Sequence, residues 1–139
     1  FILIGTSPPD EGDLRPQMLD RFGLTVGIRT QNDPETRLSV LNRTSDWSLN
    51  RKKVLQEFSL EDAATKAKIM DARARLSDVK LSRDLKLKIS KVCSALNVDG
   101  LRGDIVTNRT ARALAAFEGR DEVTEDDVLR VACMCLQHR

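Results

Sequence analysis

Gly100-Leu101-Arg102-Gly103-Asp104-Ile105-Val106-Thr107-Asn108-Arg109 places an arginine between two glycines where an amphipathic helix begins. The N-terminus of a helix presents free backbone N–H groups and a partial positive charge. An arginine in that first turn adds a charged fork that matches phosphate oxygens. The stretch therefore reads as an anion site. Its plainer reading is a surface arginine beside a turn, with the glycines serving only chain geometry.

Outward from this segment the chain is helical. All four prolines lie within the first 34 residues, and no glycine occurs from Arg29 through Asp99. Upstream, Leu85, Ile89, Val92 and Leu96 recur at helical spacing and predict one apolar stripe. Within the glycine-flanked helix, Val106, Ala113, Leu114 and Phe117 are the expected buried face. Downstream, Thr124-Glu125-Asp126-Asp127 caps a last helix whose face is Val128, Val131, Ala132, Cys135 and Leu136.

Nearer the start, Phe1–Ile4 and Leu24–Ile28 have the composition of short strands. Between them, Pro16 suits the first position of a short helix ending near Phe22-Gly23. Asp33-Pro34-Glu35 reads as an N-cap followed by proline at N1, opening a helix through Leu38, Leu41 and Trp47. Ser59 with Asp62 resembles a capping box for a long charged helix to about Leu76.

Composition narrows the class. A chain of 139 residues with 40% hydrophobic and 32% charged residues supports a soluble helical domain, or parts of two. A net charge of +2 gives no global case for nucleic acid or an anionic membrane. No apolar run approaches the ~20 residues of a membrane-spanning helix. Cys93, Cys133 and Cys135 lack CxxC metal spacing and are too few for a disulfide scaffold. Lys80, Arg83, Lys86, Lys88 and Lys91 make one helix basic, and Glu118 to Asp127 form an acidic turn. Both are expected to be solvated faces. His138, the only histidine, receives no role.

Together with Leu14-Arg15-Pro16-Gln17-Met18-Leu19-Asp20-Arg21-Phe22-Gly23, the opening stretch closely resembles the C-terminal part of magnesium chelatase ATPase subunit I, of the AAA+ family. The resemblance covers nearly the whole chain and is weakest from about Ser45 to Ala74. It implies a mostly-α chain with a two-strand remnant of the AAA+ α/β core. Residues 1–30 would be the end of that core, 31–78 a helical connector, and 79–139 a helical lid.

The resemblance also implies roles. Arg21 would be an arginine finger acting in a neighbouring subunit's ATP site, and Asp20 would orient it by a salt bridge or contact the neighbour directly. Arg102 would be the sensor-2 arginine on nucleotide phosphate. The family's Gly-Thr-x-Asn-Pro-Glu-Glu-Gly loop reads Gly5-Thr6-Ser7-Pro8-Pro9-Asp10-Glu11-Gly12 here. The sensor-1 asparagine is thus replaced by Pro8, which has no polar side chain and no N–H. Thr6 or Ser7 would have to substitute in part. Cys93 and Cys135 lie on two apolar faces of one small lid core. They are either small buried residues or a reversible disulfide, the latter suggested by the redox responsiveness of plastid members.

The implied activity is ATP-dependent insertion of Mg²⁺ into protoporphyrin IX, the nitrogen–metal ligase step of chlorophyll or bacteriochlorophyll biosynthesis. ATP and Mg²⁺ would be the cofactors. No GxxxxGK[ST] phosphate loop and no apolar run ending in Mg²⁺-binding acids occurs in the chain. These motifs are expected N-terminal to Phe1, so that the segment is inactive alone and most ligands to the cofactors lie outside it; no metal site is expected within it. Expected partners are copies of itself in a hexameric ring, a second AAA+ chelatase subunit and a large porphyrin-binding catalytic subunit. No nucleic acid and no transmembrane segment is expected. The plastid stroma is the expected location, with the bacterial cytoplasm as the alternative. Two other readings are a MoxR-like AAA+ chaperone ATPase and a helical nucleic-acid-binding module using the Lys80–Lys91 face. The DGLRGDIVTNR wording argues against the first, and the low net charge argues against the second.

Overall fold

A computed structural model describes residues 2–8, 12 and 14–139. Its helices are α1 (Pro16–Leu19), α2 (Pro34–Glu57), α3 (Ser59–Arg75), α4 (Arg83–Ala95), α5 (Arg102–Phe117) and α6 (Glu125–Leu136). The chain divides into two compact units that do not follow chain order. One holds residues 1–25, 82–111 and 124–139, and the other 26–81 and 112–123.

The first unit is built on α4, the first half of α5, and α6. Ser82 caps α4 by accepting the Leu85 N–H. Thr124 and Asp127 close a reciprocal capping box on α6, as its TEDD start predicts. The core consists of Ile89 and Cys93 from α4, Thr107 and Ala111 from α5, and Val128, Val131, Cys135 and Leu136 from α6. Gly103 is what lets α5 approach. A Cβ there would stand 2.9 Å from Val98 Cγ1 and 3.1 Å from Leu136 Cδ2. This glycine therefore serves packing, whereas Gly100 (φ +70°) serves the left-handed turn before the helix.

Two predicted faces are displaced. On α4, Val92 and Leu96 are 44% and 59% exposed, and Cys93 takes the buried row instead. On α5 the buried row is Gly103, Thr107, Ala111 and Ala115, while Ala113 and Phe117 face outward. Both rows run at i, i+4, the spacing of the ridges along a packed helix. Small side chains at that spacing permit close packing, so large apolar residues were the wrong marker.

Neither expected strand forms a ladder among the described residues. Phe1 lies outside them, and Ile2 and Ile4 are 91% and 86% exposed. A strand needs a neighbour's N–H and C=O groups, and Thr25 turns to a helix end instead. Its N–H donates to Met134 O at 2.9 Å, one of the carbonyls that the last turn of α6 leaves unpaired.

In the second unit, α2 starts at the predicted cap, Asp33 accepting from Thr36 N at 2.8 Å. It breaks at Asn50 (φ −149°, ψ 76°), whose side chain recaps the helix through the Lys53 N–H. Ser59 does not cap α3. The chain passes from α2 into α3 through Phe58 in helical conformation, and Ser59 Oγ donates back to Gln56 O. Arg112 satisfies the end of α3, donating to the carbonyls of Leu76, Ser77 and Val79. A Schellman turn at Gly119 closes α5, with Arg120 N donating to Ala115 O at 2.9 Å. A parallel bridge, Lys80 with Glu122, joins the segments around buried Val79 and Val123.

Candidate functional site

The end of α1, the start of α5 and the end of α6 meet at Asp20. Pro16 opens α1 and the chain turns at Asp20-Arg21 after only one helical turn. Both oxygens of the Asp20 carboxylate accept from an arginine. Arg102 Nη1 donates to Asp20 Oδ2 at 3.0 Å and to Asp20 O at 2.9 Å. Arg139 Nη1 donates to Asp20 Oδ1 and to Asp20 O. The two guanidiniums differ in setting: the Arg102 side chain is 51% exposed, and that of Arg139 only 2%.

Phe22, two residues on, is held as firmly. Its carbonyl accepts from Arg139 Nη2 at 2.8 Å and from His138 Nε2 at 3.1 Å. Because a carbonyl only accepts, His138 carries its proton on Nε2. In the neutral ring, Nδ1 then accepts from Thr25 Oγ1 at 3.0 Å. Gln137 Nε2 completes the set by donating to Thr25 O. Three consecutive residues after α6 thus anchor the Asp20–Thr25 segment. None was given a role from the sequence, His138 included, because their partners lie more than a hundred positions away and leave no local pattern.

Arg21 sits between the two clamped residues. It is exposed, and its guanidinium makes no hydrogen bond or ion pair among the described residues. Asp20 pairs with Arg102 and Arg139 rather than with Arg21. Thr6, Ser7 and Pro8 are exposed and outside any helix. On the basic helix α4, Lys88 is engaged with Glu125 at 2.7 Å.

Cys93 and Cys135 are buried free thiols in the same core, and Cys133 is exposed. Burial pushes the Cys93 thiol up to about 11, helped by the charge and hydrogen-bonding of the Asp104 carboxylate and, less, by Cys135. Asp104 is itself held by Ser90 Oγ at 2.7 Å. Cys135 O accepts from Arg139 Nε at 2.9 Å, so the thiol pair borders the clamp.

What the arrangement can do is bind anions. Arg102 presents a charged fork at the start of a helix, restrained by an exposed ion pair of small worth and one hydrogen bond to the Asp20 carbonyl. A phosphate can take that fork in competition with Asp20. Among the described residues no group of three or more His, Cys, Asp or Glu side chains is placed to hold a metal ion. Nor is any helix there long and apolar enough to cross a membrane.

Residues 86–139 match the AAA lid domain family, which gives the class of protein. A crystal structure of a Cytophaga hutchinsonii protein assigned as an ATPase covers 92% of the chain, with a TM-score of 0.64 at 24% identity. It shares the fold. Over all 139 residues the chain is 52% identical to magnesium-chelatase subunit ChlI of Cyanophora paradoxa. It is 49% identical to that of Synechocystis and 50% identical to chloroplastic ChlI-1 of Arabidopsis thaliana. The chain belongs to the magnesium-chelatase ChlI family. It spans 40%, 39% and 33% of the length of these three relatives.

Proposed function

We propose that this chain carries the arginine-finger and lid portion of the ATP-hydrolysing motor subunit of magnesium chelatase. In this reading residues 1–30 end the ATPase core, 31–78 connect, and 79–139 form the lid. The motor works as a hexameric ring with a second AAA+ subunit and a porphyrin-binding subunit. Its ATP-dependent cycle drives insertion of Mg²⁺, here the substrate, into protoporphyrin IX. The chloroplastic names of relatives favour the plastid stroma, with the bacterial cytoplasm as the alternative.

One observation supports this best: of two guanidiniums flanking one turn, Arg102 is loosely held on Asp20 while Arg21 has no partner among the described residues. Arg102 is suited to sense phosphate in its own subunit. Arg21 is suited to meet the charge that develops on the transferring γ-phosphoryl group next door, where a fixed cation lowers the barrier most.

The test uses full-length protein. Arg21→Ala is expected to keep ATP binding and to lose about 10³-fold or more in hydrolysis. Mixing it with subunits lacking the phosphate-loop lysine is expected to restore part of the rate, because intact hybrid sites form at the boundaries. Near-normal turnover by the Arg21→Ala ring overturns the assignment.

A further inference from the structure

Arg139 has no part in nucleotide chemistry as read from the sequence, yet it is the most deeply buried charge of the clamp, with its side chain 2% exposed. Its guanidinium reaches the carbonyls on both sides of Arg21: Asp20 O at 3.2 Å and Phe22 O at 2.8 Å. It also holds Asp20 Oδ1 and, through Nε, Cys135 O at the end of α6. The residue between those two carbonyls has its backbone pinned and its side chain free.

We propose that Arg139 is a positioning residue for Arg21, and this rests on the reading of Arg21 as a finger acting in the neighbouring subunit. The contrast with Arg102 is the reason for two arginines on one carboxylate. Arg102 is half exposed and can leave Asp20 for a phosphate; Arg139 is buried and stays. When nucleotide draws Arg102 away, Arg139 keeps the Asp20–Phe22 turn seated on the lid, so the finger's origin does not move with the sensor. Only a planar fork with donors in several directions can make these contacts together; a lysine has a single nitrogen at its tip.

The experiment compares Arg139→Gln and Arg139→Lys in full-length protein with Arg21→Ala as the control. Turnover of MgATP, affinity for a non-hydrolysable ATP analogue, thermal melting and mixing with phosphate-loop-lysine mutants are measured. The expected result is a fall in kcat of about 10- to 100-fold, the scale of an ångström-level misplacement. Analogue affinity is expected to stay unchanged, and mixing to restore activity because the defect lies in the donated finger. Arg139→Lys keeps the charge and much of the volume, and is expected to lose kcat in the same way, so it carries the test if the glutamine variant does not fold. Normal kcat, a change confined to KM, or a loss that mixing does not restore overturns the proposal. If mixing also fails to rescue Arg21→Ala, the finger reading falls and the positioning proposal with it. Rescue of Arg21→Ala but not of Arg139→Gln removes the positioning proposal alone.

Discussion

The Asp104 carboxylate of α5 raises the pKa of the Cys93 thiol of α4, by its negative charge and as a hydrogen-bond acceptor for the thiol. Burial and this negative neighbour both oppose the thiolate, which raises the thiol from 9.0 to about 11. The folded protein therefore holds this proton more tightly than the unfolded chain. The stability from this group is complete below pH 9 and is lost as pH rises towards 11. Chemical denaturation across that range should show a decline that Cys93→Ala removes. Asp104→Asn should lower the thiol pKa and speed iodoacetamide labelling of Cys93 at pH 8, read by mass spectrometry.

Cys93 and Cys135 share one core, and Cys135 adds a little to the rise of the Cys93 thiol. Oxidised protein is expected to yield a Cys93–Cys135 peptide that dithiol reductant removes, with Cys133→Ser leaving it unchanged. Because the thiolate is the reacting form, the bridge should form faster as pH rises from 7 to 10. Absence of that peptide after prolonged oxidation at pH 10 would rule the pair out.

Gly103 has no room for a methyl group. A Cβ would press on the branched Val98 Cγ1 at 2.9 Å and on Leu136 Cδ2 at 3.1 Å. Overpacking of this kind costs about 1–3 kcal/mol, against a gain of at most ~1 kcal/mol in helix propensity. Gly103→Ala should melt below the parent protein, whereas Leu101→Ala, at an exposed position, should not.

Pro8 stands where the family pattern has an asparagine. In full-length protein Pro8→Asn should raise the hydrolysis rate, because orienting water is a positioning effect. An unchanged or lower rate would mean that Thr6, Ser7 or another group already does this work.

Helix starts were legible because their causes are local. Asp33 meets Thr36, and Thr124 meets Asp127, each across three residues. The α6 face was legible too, since its apolar residues leave one row for the core. The faces of α4 and α5 were not. Periodicity accepts Val92 or Cys93, and Phe117 or Ala115, equally well, and only the close approach of a neighbouring helix selects the small ones. Ser59 misled for a similar reason: α2 and α3 run almost continuously through Phe58, so there was no free helix end to cap.

By itself the sequence determined that the chain is helical and where α2 and α6 begin, and its resemblance to an AAA+ lid and finger pointed to Arg21 and Arg102. The tertiary structure alone decided the partners of Asp20. They lie 82 and 119 residues away, and no spacing rule reaches that far. A carboxylate takes whichever cations the fold delivers to it, and burying Arg139 beside the carbonyls of Asp20 and Phe22 required α6 to end there.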